Sequence, residues 1–175
     1  MHKTIRLIAM TAAAAGALTF AGAANAAASA SASANAEILS TISVAKNQDL
    51  DFGRIAVNGA GVLTVSADES APAACPATLV CQGARVPAKF TISGTAGAGT
   101  AAAVRQASIN LTSGTNSMVL NSFTVFFPNG NSLALPTPTS TSGEAEFNVG
   151  GSLSVGAAQA AGVYTGTFNV DVDYN

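Results

Sequence analysis

The stretch that decides the fold is Y-T-G-T-F-N-V-D-V-D-Y-N, residues 164–175. Its even positions are Tyr164, Gly166, Phe168, Val170, Val172 and Tyr174, and its odd positions are Thr165, Thr167, Asn169, Asp171, Asp173 and Asn175. A strand turns successive side chains to opposite faces, so this order gives one apolar face and one wet face. A helix, with its period of about 3.6, would mix the two sets.

The same period recurs upstream. Residues 61–66 (G-V-L-T-V-S) read as a strand, although the neighbours Val62 and Leu63 leave its inward face open. Residues 89–93 point Phe90 and Ile92 inward, and residues 104–111 and 118–127 supply two further strands. In residues 144–149, Ala145, Phe147 and Val149 share a face, and Leu153 and Val155 continue beyond Gly150-Gly151, which reads as a turn. Asn58-Gly59, residues 97–99, Ser113-Gly114, Pro128-Asn129-Gly130 and Ser142-Gly143 are further turn signals. Residues 157–161 have room for a single helical turn between Gly156 and Gly162. Residues 133–142, with Pro136 and Pro138 among Ser and Thr, read as an exposed loop. Short strands so punctuated, with no amphipathic helix, predict an all-β antiparallel sandwich.

The 175 residues suffice for one domain. Lys3 and Arg6 precede an uncharged run over residues 7–20, and Ala24-Asn25-Ala26 forms an A-x-A site. This predicts a secretory signal peptide over residues 1–26, cleaved after Ala26, and no membrane span in the mature chain. A second A-x-A, Ala34-Asn35-Ala36, lies ten residues on. Residues 27–46 then form an N-terminal extension with the first strand, and residues 47–175 the sandwich. The expected destination is the periplasm in transit, then the cell surface, a fimbrium or the medium.

The only histidine, His2, lies in the signal. The mature chain has no His and no Trp, and five basic against nine acidic residues give a net charge of −4. That composition excludes His-based catalysis and His-containing metal sites, and it lacks a basic nucleic-acid footprint. No catalytic residue, metal or cofactor is expected. Asp171 with Asp173, and Asp49 with Asp51, share strand faces where solvated carboxylates ordinarily sit. Cys75 and Cys81, close together in an oxidising compartment, are expected to form a disulfide.

After the signal, Ala28, Ala30, Ala32, Ala34, Ala36, Ile38, Ile42 and Val44 alternate with mostly polar residues. This period-two run outlasts an ordinary strand. One reading is an Ala/Ser linker followed by the first strand. The other is a strand that can be lent to a neighbouring copy, with Ile38, Ile42 and Val44 as anchors.

Five segments taken together resemble a bacterial family of secreted β-sandwich proteins catalogued as a domain of unknown function and related to Mat/common-pilus fimbrial subunits. They are Q-D-L-D-F-G (48–53), G-V-L-T-V-S (61–66), F-T-I-S-G (90–94), F-N-V-G-G-S-L (147–153) and G-V-Y-T-G-T-F (162–168) running to the end. The likeness covers most of residues 42–175 and departs at the Cys75–Cys81 insertion. It implies an immunoglobulin-like sandwich without cofactor or catalysis. In the pilin relatives, subunits polymerise by strand donation with a periplasmic chaperone and an outer-membrane usher. Their last strand alternates and ends in a penultimate Tyr, a place held here by Tyr174. The resemblance therefore makes Tyr164, Phe168, Val170, Val172 and Tyr174 the face for chaperone and assembly.

The expected function is a non-enzymatic structural subunit that binds copies of itself. The alternative is a monomeric secreted binding module with a self-complete sandwich. The scarcity of aromatic residues for stacking sugars weighs against that alternative.

Overall fold

The computed structural model describes residues 28–71, 74–130 and 143–175. The signal peptide, its Ala26 cleavage position and the loop expected over residues 133–142 lie outside the described residues. Residues 28–36, the described part of the unit Met1–Ala36, carry no helix or strand.

The unit Glu37–Asn175 is all-β and antiparallel. Its described strands are β1 (Ser43–Gln48), β2 (Arg54–Val57), β3 (Gly61–Val65), β4 (Leu79–Gln82), β5 (Ala88–Gly94), β6 (Thr100–Val104), β7 (Ser108–Ser113), β8 (Asn116–Phe126), β9 (Gly143–Val155) and β10 (Val170–Tyr174). One sheet of six strands runs β1-β5-β9-β8-β7, with β3 also paired to β9. Two small sheets, β2–β4 and β6–β10, cover its inner face. This is the predicted sandwich, with the second layer split in two.

The 13 residues of β9 form its spine. One edge pairs with β8. The other pairs with β5 as far as Val149 and with β3 from Gly151 onward. The expected turn at Gly150-Gly151 is therefore corrected to the middle of a continuous strand. A Cβ on Gly150 would lie 2.3 Å from the Val65 carbonyl oxygen and 2.4 Å from the Ala67 nitrogen. The glycine is there because another backbone passes against it. Opposite, β8 shifts register between Asn121 and Thr124, where Ser122 takes a φ of 52°.

The strand expected over residues 104–111 is in fact two. β6 lies in the covering layer and β7 in the large sheet, and residues 105–107 carry the chain between them. The C-terminal segment follows the same corner in reverse. Thr165 bridges Thr112 of β7, the Arg105 N–H donates to the Asn169 carbonyl at 2.9 Å, and β10 then pairs with β6. Only Val170–Tyr174 of the twelve alternating residues is regular strand. Strands that switch sheets form such sandwich corners. At residues 157–161, where the sequence allows a helical turn, the structure has a single turn closed by Gln159 N–H to the Gly156 carbonyl at 3.2 Å and no helix.

The core has two adjoining parts. The first holds Phe52, Leu63, Val65, Leu79, Met118, Leu120, Leu153 and Val155 under β2–β4. The odd positions of β3 thus point inward and Val62 outward. The second holds Ala88, Phe90, Ile92, Ala145, Phe147 and Val149 under β6–β10. Phe147 is fully buried, stacks on Phe90 at 5.0 Å between centroids, and meets Phe127 at 5.6 Å. Leu50 and Phe123 touch both parts.

Candidate functional site at the C-terminal strand

β10 alternates as its sequence requires. Val170, Val172 and Tyr174 lie half-buried against the second core, beside Phe168, Ala102 and Val104. Phe168 meets Phe123 at 5.1 Å and Phe90 edge-on at 6.5 Å. Four of the five residues expected on the assembly face therefore stand together. Tyr164 does not join them. It packs on the first core, donates its hydroxyl to the Ala160 carbonyl at 2.8 Å, and receives Gln159 Nε2 at 2.7 Å.

One side of the β10 backbone is paired with β6. Arg105 N–H donates to the Asn169 carbonyl at 2.9 Å, and Asn175 N–H to the Gly99 carbonyl at 3.2 Å. Antiparallel pairs alternate between bonded and non-bonded, so odd positions of β10 direct their N–H and C=O groups to β6. Those of Val170, Val172 and Tyr174 point to the opposite edge. Among the described residues no second strand pairs with that edge. Such an edge is a template for another chain.

On the wet face, Asp171 receives both Arg105 Nε, at 2.9 Å, and Nη2. The guanidinium lowers the Asp171 pKa below the ordinary carboxylate value, and the carboxylate raises that of Arg105. The pair is exposed, so it contributes little to stability.

At the end of β10, Tyr174 reaches across to the six-stranded sheet. Its hydroxyl accepts the Thr95 N–H at 2.8 Å and donates to the Ser40 carbonyl at 2.9 Å. The Thr95 N–H at its oxygen draws the phenol pKa below its usual value. Ser40 N–H donates to Thr95 Oγ1 at 2.7 Å, and the two hydroxyls share a hydrogen bond of 3.0 Å. Ser40 and Thr95 escape sequence reasoning, because these contacts join residues 55 to 134 positions apart.

Just past this point Ile42 packs on the second core, and Val44 sits opposite Ile92 in the β1–β5 pairing with 43% of its surface exposed. Ile38, just before it, is 95% exposed. The three expected anchors thus divide into Val44 in β1, Ile42 packed on the second core just before it, and Ile38 exposed outside both.

The remaining candidates are structural. Cys75 and Cys81 are joined, S–S 2.02 Å, and Cys81 packs on the first core from β4. Asp49 pairs with Lys46 at 2.5 Å, and Asp51 Oδ1 accepts the Gly53 N–H at 2.8 Å. Lys89 pairs with Glu69 at 2.9 Å. Among the described residues no three metal-ligating side chains gather, and no helix is long and apolar enough to cross a membrane.

The model of the domain of unknown function DUF4402 matches residues 42–174, from the residue before β1 to the end of β10. The chain belongs to the DUF4402 family. The match starts between Ser40 and Ser43, so this DUF4402 domain comprises the sandwich with β1, and the alternating Ala/Ser arm precedes it. No curated protein and no solved structure matches the chain.

Proposed function

We propose that this protein is a non-enzymatic structural subunit of a bacterial surface fimbria or similar polymer, assembled when the N-terminal arm of one copy pairs with β10 of the next. The carrying observation is the edge of β10 that no strand among the described residues pairs, whose Val170, Val172 and Tyr174 are only half-buried. A strand laid there would satisfy three residues' outward backbone groups and cover the apolar side chains beside them. The arm has the matching period-two pattern, and Ile38 is bare in the isolated chain. On this reading the chain is exported through the periplasm, where a chaperone covers the same edge until an outer-membrane usher admits the arm. The apolar face of Phe168, Val170, Val172 and Tyr174 beside that edge supports that route.

A second reading, a secreted module complete in itself, is favoured by β1, which already closes the outer side of β5. The surface fraction run unboiled and boiled on a denaturing gel separates the two. Polymers held by strand donation dissociate only through unfolding, which is slow. A ladder that collapses to one band on boiling is expected. A single monomer band in both lanes overturns the polymer in favour of the self-complete module.

A further inference from the structure

Ser40 is held as a strand residue is held, with both backbone groups bonded, yet by side chains instead of a neighbouring strand. Thr95 Oγ1 takes its N–H at 2.7 Å and Tyr174 takes its C=O at 2.9 Å. From Ile42 onward the chain is committed to its own sandwich, through the second core and the β1–β5 pairing. Before Ser40, Ile38 is 95% exposed and Leu39 41%. Exposure falls from Ile38 to Leu39, which is no more exposed than Val44 of β1, and Ser40 then carries the bonds to Thr95 and Tyr174.

We propose that Tyr174 is a clasp that marks where the retained chain begins, so that the segment lent to a second copy is residues 28–39, with Ile38 as the large anchor on its apolar face. This rests on the strand-donation reading and sharpens it. Lending Ile42 and Val44 as well would break the pairing of Val44 with Ile92 and of its neighbours with β5. The segment before the clasp needs no such loss. At about 3.3 Å per residue it reaches roughly 40 Å, well beyond the five residues of β10. Tyr174 then serves two copies at once. Its hydroxyl holds its own arm at the root, while its outward N–H and C=O lie on the edge that receives the arm of another.

Two measurements on the mature full chain test this. In Tyr174→Phe the ring stays and both hydroxyl bonds go. Hydrogen exchange at Thr95 and at residues 40–42 should quicken about tenfold, the effect of losing one or two hydrogen bonds, with β9 unchanged. Unchanged exchange at Thr95 and Ser40 overturns the clasp. For the lent segment, Ile38→Asp should abolish the unboiled ladder and leave the monomer's thermal midpoint where it was. Ile42→Asp should lower that midpoint. A ladder that forms in the parent and survives Ile38→Asp overturns this inference and leaves strand donation standing. A parent chain without a ladder overturns both.

Discussion

The two ends of the sandwich share one six-stranded sheet and are closed in different ways. Over the first core the lid is β2–β4, and Cys81 of β4 is joined covalently to Cys75. Over the second core the lid is β6–β10, assisted by Ile42 at the root of the arm, and fastened by hydrogen bonds of Tyr174. The first lid is built from residues 54–82, and its disulfide ties β4 to the loop just before it. The second joins a mid-chain strand, β6, to the C-terminal β10 and is held by non-covalent contacts alone.

The sharpest way to break this contrast is Phe147→Ala. Removing a fully buried ring stacked on Phe90 should cost about 4 kcal/mol in chemical denaturation and should loosen β10 with it. If β10 amides keep their protection, the second lid does not depend on the core beneath it.

Gly150→Ala probes the seam between the two ends. Its Cβ would meet the Val65 and Ala67 backbone, so a loss of about 2–3 kcal/mol is expected. Amides of β3 and β5 should both be affected, since β9 changes partner here. A loss confined to one of them would mean that the ends are less continuous than the shared strand implies.

Replacing both Cys75 and Cys81 by Ala opens a short loop and should cost about 2 kcal/mol. The contrast predicts that only amides of β2–β4 exchange faster. Equal loosening of β6–β10 would show that the staple serves the whole molecule.

The smallest effect belongs to Asp171→Asn. Its folded pKa is depressed by Arg105. Its contribution is therefore present above the unfolded carboxylate value, about 3.9, and is lost as pH falls through the lower folded value. The parent and Asp171→Asn should have thermal midpoints that differ slightly at pH 6 and converge in acid. A gap that widens in acid would contradict the sign.

Much of this was legible in the sequence because burial in strands is local. Ala145, Phe147 and Val149 declare their face by spacing alone, as do Phe168, Val170, Val172 and Tyr174. Gly150-Gly151 was not legible. A glycine pair signals a turn or a close backbone crossing equally well, and the segment crossing it, residues 65–67, lies far away in the chain. The break between β6 and β7 did leave a trace. Inward positions are even through Val104 and odd from Ile109, and a change of parity marks a change of layer. At the candidate site the face of β10 could be read, but not its bare edge or the clasp, which depend on which strands fail to pair and on contacts spanning most of the chain.

The Ser40–Thr95–Tyr174 junction has a mechanical consequence. Tension entering along the arm meets, at a single residue, bonds to Thr95 just beyond β5 and to Tyr174 of β10. The load divides between the two layers before it reaches β1. A tug must first break these bonds to both layers before it can peel β1 from β5 one pair at a time.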